Sequence, residues 1–111
     1  MARRPVSAAA FAISSDAAIN AYAGWGAYGA SKAALHHLSR IWDEELAPEG
    51  IRVVSIDPGD MDTPMHALAV PDADRSTLKR PDVAAREVAD LIAAVQSVTA
   101  GHVAADQQVL Q

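Results

Sequence analysis

AYGASKAALHHLSRIWDEELAPEGIRVVSIDPG, residues 27–59, is the stretch that decides the fold. From about Ala27 to Leu46, Ala34, Leu35, Leu38, Ile41, Trp42 and Leu46 recur at three- and four-residue spacing, the stripe of an amphipathic helix. Asp43-Glu44-Glu45 face away from that stripe. Pro48 and Gly50 end the helix, the first because it lacks an N–H and the second because it tolerates a left-handed backbone. Ile51-Arg52-Val53-Val54-Ser55-Ile56 is a β-branched run that favours an extended chain, and Asp57-Pro58-Gly59 stops it. A helix delivering directly into a buried strand is half of a β-α-β crossover.

The other half lies upstream. Ala9 to Ser15 is a compact apolar run closing on two serines, which predicts a buried strand. Residues 16–27, rich in alanine and glycine, carry no period and predict a loop. Downstream, residues 60–80 are polar, with Pro64 and Pro71 as breakers, and predict a mobile excursion. Pro81 suits a first helical turn, and Ala84, Val88, Leu91, Ile92 and Val95 form another apolar stripe. Gly101 leads into a weak last strand at His102–Ala105. Strand, helix, strand, helix, strand is the order of an α/β fold with a parallel sheet.

Bulk properties narrow the function. With 111 residues there is room for one domain and a modest core. Aromatic residues are only 5%, so that core rests on small side chains packed closely. A formal charge of −5 offers no basic footprint, which argues against nucleic acid and anionic membrane surfaces as partners. The absence of cysteine removes thiol chemistry and fits a cytoplasmic protein. No apolar run reaches membrane-spanning length. Met1-Ala2-Arg3-Arg4 and the apolar residues to Ala12 have the outline of a short export signal. That stretch is short, however, and merges into the first strand.

Three features carry chemistry: Ser15, then Tyr28-Gly29-Ala30-Ser31-Lys32, then Pro58-Gly59-Asp60-Met61-Asp62-Thr63. Tyr28 and Lys32 stand four apart at a helix start, so both lie on one face. A free phenol, titrating near about 10, is a poor base at neutral pH. A neighbouring ammonium favours a phenolate, so such a pair can move a proton to or from an alcohol or carbonyl oxygen. Ser15, at the carboxyl end of a strand, can donate a hydrogen bond to the same oxygen, where open α/β sheets hold their ligands. A Tyr-x-x-x-Lys pair alone is weak, being mostly packing plus a solvated charge; the three features in order are much stronger. Gly24-Trp25-Gly26-Ala27-Tyr28-Gly29 also fits a dinucleotide fingerprint, but it lacks the strand before it and the acid about twenty residues after it. Adjacent His36 and His37 read as packing or surface residues. Asp57, Asp60 and Asp62 read as a solvated loop with no metal, and His66 as solvated or near substrate.

Together Ile13-Ser14-Ser15, Tyr28-Gly29-Ala30-Ser31-Lys32-Ala33-Ala34 and Asp57-Pro58-Gly59-Asp60-Met61-Asp62-Thr63 resemble the successive signatures of the short-chain dehydrogenase/reductase family. The resemblance covers residues 9–106 and implies the carboxy-terminal part of a doubly wound parallel Rossmann-type sheet. It implies Tyr28 as general acid/base and Ser15 as the donor that polarises a substrate carbonyl. Lys32 would support Tyr28 electrostatically and bind the nicotinamide ribose. With Tyr28, Lys32 and the Pro58-Gly59 turn, Met61 (through its backbone) and Thr63 would complete the cofactor contacts. NAD or NADP is the implied cofactor, a small alcohol or carbonyl the substrate, and the intact form a homo-oligomer. Residues 60–80 would be a variable substrate lid.

Departures from the family pattern bear on activity. The glycine-rich phosphate turn, the residue that selects NAD or NADP and the asparagine of the catalytic relay are missing from these 111 residues. Gln107-Gln108 stand where a glycine pair is common. The expectation is one partial domain, residues 1–111, beginning in the family's fifth strand. Alone it would be marginally stable or self-associating, with weak or no nucleotide binding. The alternative to an oxidoreductase is a catalytically inert remnant or a dimerisation module.

Overall fold

Every residue from Arg52 to Ile56 is buried, which is what a β-branched run between two covering layers requires. This strand, β2 (Ile51–Ile56), pairs in parallel with β1 (Ala8–Ile13) in the register Ala8↔Ile51 through Ile13↔Ile56. The computed structural model describes residues 5–96. Among them the sheet has these two strands, linked by helix α1 (Gly26–Leu46). The predicted last strand at His102–Ala105 lies outside the described residues.

The chain leaves α1 through a 3-10 turn at Ala47–Glu49, whose cap Gly50 has φ 77°, a left-handed value that glycine adopts without strain. A short helix, α2 (Pro64–Ala69), and a long one, α3 (Pro81–Gln96), follow. Thr63 caps α2 by accepting the His66 N–H at 3.1 Å, with Pro64 in the first turn. The 60–80 excursion is thus more regular than its breakers suggest. A parallel bridge between Met61 and Lys79 also joins its two ends.

Two layers sandwich the sheet. On one face Val54 and Ile56 pack with Val95, Val88 and Leu91 of α3 and with Ala9 and Phe11 of β1. Helix α1 is tied to β2 by two sets of polar contacts. His36 Nδ1 and Ser55 Oγ share a hydrogen bond of 3.1 Å. Asp43, 6% exposed, accepts from Arg52 at 2.7 and 3.1 Å and from the Val53 N–H at 2.8 Å. The acidic triplet does lie off the apolar stripe, but for Asp43 that side is the sheet. Leu38, Ile41 and Trp42 of the stripe remain 38–43% exposed.

Candidate active site

Both strands end at the same edge, and the residues just past those ends face each other. Past β1, Ser15 caps a 3-10 turn, Asp16–Ala18, its Oγ accepting the Ala17 N–H at 3.2 Å. Accepting there leaves the hydroxyl proton without an acceptor among the described residues, and so available to donate. The first turn of α1 carries Tyr28, and the next carries Lys32. The Lys32 ammonium donates to the Ile13 carbonyl at 3.0 Å and sits 5.8 Å from the centroid of the Tyr28 ring. That carbonyl belongs to the last residue of β1, so the strand end itself fixes where the lysine charge stands. Tyr28 is 39% exposed, and its hydroxyl has no partner among the described residues.

Past β2, Asp57 Oδ1 accepts the Gly59 N–H at 2.9 Å, closing a tight turn through Pro58. Gly59 has φ 85°, a region that L side chains rarely enter. The turn carries Met61 into its bridge with Lys79. The bridge bonds run from the Lys79 N–H to Asp60 and from the Asp62 N–H to Lys79. The N–H and C=O of Met61 are therefore unpaired among the described residues.

All seven residues singled out from the sequence, Ser15, Tyr28, Lys32, Pro58, Gly59, Met61 and Thr63, line one open cleft of about 1040 Å³. The sequence reading missed an aromatic row on its wall. Tyr22, Trp25 and Tyr28, spaced three apart, stand with ring centroids 5.3 and 5.8 Å from one to the next. That spacing was a readable signal, obscured by the run of glycines and alanines around it. His66 also lines the cleft, with its Nδ1 buried and without a partner among the described residues. Its Nε2 lies 3.9 Å from Asp60.

Asp16, Asp57 and Asp60 give the cleft acidic charge beside Lys32. Tyr22 donates a hydrogen bond to Asp16, and this bond, with burial and the charges of Asp16, Asp60 and Asp57, holds the phenol above its ordinary 10.0. Burial raises Asp57 above its ordinary 3.8, and Asp16 and Asp60 push the same way. The Gly59 N–H and Lys79 oppose them. No group of three or more metal-ligating side chains occurs among the described residues. No helix among them is long and apolar enough to cross a membrane.

Known proteins share this arrangement. A short chain dehydrogenase from Pseudomonas syringae superposes with a TM-score of 0.62 at 34% identity, over 68% of this chain and 31% of its own. Another, from Shigella flexneri, gives 0.61 at 36% identity over 68% and 29%. A benzil reductase, (S)-benzoin forming, of Saccharomyces cerevisiae is 45% identical over 54 residues, 49% of this chain and 20% of that protein. The chain therefore spans about a fifth of that curated relative and under a third of these structures. The sequence profile of the short chain dehydrogenases matches residues 4–74, well over half of the 111, and overlies both strands and the cleft between their ends. The chain belongs to the short-chain dehydrogenase family.

Proposed function

We propose that this chain, one partial domain, supplies the catalytic residues of an NAD(P)-dependent oxidoreductase that interconverts an alcohol and a carbonyl. The observation that carries the reading is the convergence of Ser15, Tyr28 and Lys32 on one cleft, with the lysine anchored to the end of β1. The residues fit the nicotinamide end of such a cofactor. Met61 offers an unpaired N–H and an unpaired C=O, the complement of a carboxamide, and the Lys32 ammonium can bind ribose hydroxyls.

When bound, the nicotinamide supplies or accepts the hydride at its C4. Ser15 donates a hydrogen bond to the substrate oxygen, favouring the charge that grows there during reduction. Tyr28 gives its hydroxyl proton to that oxygen in reduction and takes it back in oxidation. Lys32 holds positive charge beside the phenol as the proton leaves. The Tyr22–Trp25 wall lines one side of the cleft with aromatic rings. The exposed stripe of α1 supports a homo-oligomeric intact form.

The test transplants residues 5–96 into the matching segment of the Pseudomonas syringae dehydrogenase and measures NADH and NADPH oxidation. Benzil, named for the yeast relative, is the first carbonyl to try. Tyr28→Phe keeps the ring and removes the proton carrier, so turnover should fall about 10²–10⁴-fold with the fold intact. Near-parental turnover in Tyr28→Phe defeats the mechanism. A folded, nucleotide-binding chimera without turnover favours the inert-remnant reading instead.

A further inference from the structure

Lys79 stands at the far end of the excursion, 21 positions after Pro58, yet it touches the turn at three points. Its backbone brackets Met61, donating to the Asp60 carbonyl and accepting from the Asp62 N–H, both at 2.9 Å. Its side chain folds back, and the ammonium donates to the Pro58 carbonyl at 2.9 Å. The same ammonium pairs with Glu87 of α3 at 2.9 Å. Its stem lies against Gly59, where an added Cβ would stand 3.3 Å from Nζ and 3.6 Å from Cε. One residue therefore grips the Pro58–Asp62 segment through backbone and side chain at once, and α3 anchors the grip.

The grip determines which way one peptide points. In a parallel bridge the bracketed residue turns its own N–H and C=O away from the partner strand. Met61 is that residue, and it lines the cleft. An isolated, partly exposed ion pair such as Lys79–Glu87 contributes only about 0–1 kcal/mol to stability. Its effect here would be orientation: Arg75 also ties the segment, pairing with Asp62 at 2.6 and 2.9 Å, but among the described residues only Lys79 joins it to α3.

We infer that Lys79, anchored by Glu87, is a positioning residue that holds the Met61 peptide toward the cleft to receive the nicotinamide carboxamide. This rests on the nicotinamide reading above, and the experiment separates the two. Amide hydrogen exchange of the full 111-residue chain is followed by NMR, without ligand and then with nicotinamide mononucleotide at roughly 20 mM. In Lys79→Met the amides of Asp62 and position 79 should exchange about tenfold faster while those of β2 keep their protection. The ligand-induced shift of the Met61 amide should be lost in that variant. Lys79→Arg should restore both partly, because it keeps the charge in a wider head, and Glu87→Gln should weaken both with the lysine still present.

Unchanged exchange in Lys79→Met and Glu87→Gln overturns the grip, whatever binds. A loosened turn whose Met61 shift survives overturns the positioning role and leaves the nicotinamide reading standing. If the mononucleotide moves no cleft amide in the parent although the variant's turn loosens, the nicotinamide reading falls, and the positioning role with it.

Discussion

Replacing Asp43 with alanine should be the most damaging single change outside the cleft. The carboxylate is 6% exposed and Arg52 is 1% exposed, so both charges sit where water cannot replace a lost partner. Asp43 satisfies two guanidinium nitrogens and the Val53 N–H, while Arg52 Nη1 already lacks a partner among the described residues. Asp43→Ala therefore strands a cation and a peptide donor between α1 and β2. Removing one partner of a buried pair costs about 3–5 kcal/mol. A domain of this size has on the order of 5–15 kcal/mol in total. With a urea slope of about 1–3 kcal/mol/M, the midpoint should drop by at least about 1 M, or the chain should be unfolded in buffer. Circular dichroism against urea reads this directly. Asp43→Leu with Arg52→Leu removes both charges and should recover the part of the loss due to the stranded cation, leaving about 1–3 kcal/mol for the Val53 N–H. An Asp43→Ala midpoint within experimental error of the parent would refute the reasoning. So would a double variant weaker than Asp43→Ala.

Gly59→Ala forces a side chain into φ 85° and should cost about 1–2 kcal/mol by urea titration, whereas an unchanged midpoint would show that the turn relaxes freely. Asp57, raised by burial, binds its proton more readily folded than unfolded. Its contribution to stability should thus fall as pH rises from the ordinary value of 3.8 through the raised one. Carboxyl NMR should place its midpoint above 3.8, and Asp57→Asn should remove that part of the pH slope; a midpoint at or below 3.8 contradicts the assignment. The exposed stripe of α1 should drive self-association, which sedimentation velocity detects and Trp42→Glu with Ile41→Glu should abolish without loss of helicity. A dilute parental monomer with a sharp cooperative melt would contradict this.

Local signals predicted most of the architecture. The β-branched run, Pro48–Gly50 and the helical period placed β2 and α1 to within a residue or two, because each depends on backbone preferences of neighbouring residues. β1 ends at Ile13, before the predicted Ser15, because Ser15 spends its side chain capping the next turn. The inward placement of Asp43 was not legible. A carboxylate beside two glutamates has the sequence pattern of a solvated face, and only the approach of Arg52 across the crossover makes burial tolerable. Lys79 was equally hidden, since its partners are 21 and 8 positions away on separate elements. The seven candidate residues converge because two parallel strands end at one edge, a property of topology that the order of motifs already encoded. Their chemical roles depend on the assays above.

The pairing of Ala8 with Ile51 has a kinetic side. Ser15, Tyr28 and Lys32 all lie inside the segment that this pairing closes, and the Asp57–Thr63 turn leaves directly from it. Until the strands meet, none of these groups has a fixed neighbour from another group. Closing a flexible segment this long carries an entropy cost, and α1 lessens it by acting as a rod about 30 Å long before closure. Helix-weakening changes at solvent-facing positions such as Arg40 should therefore slow the appearance of the cleft by nearly as much as they lower its stability, with unfolding little changed. The helix that carries Tyr28 and Lys32 thus also sets the rate at which this chain gains a working surface.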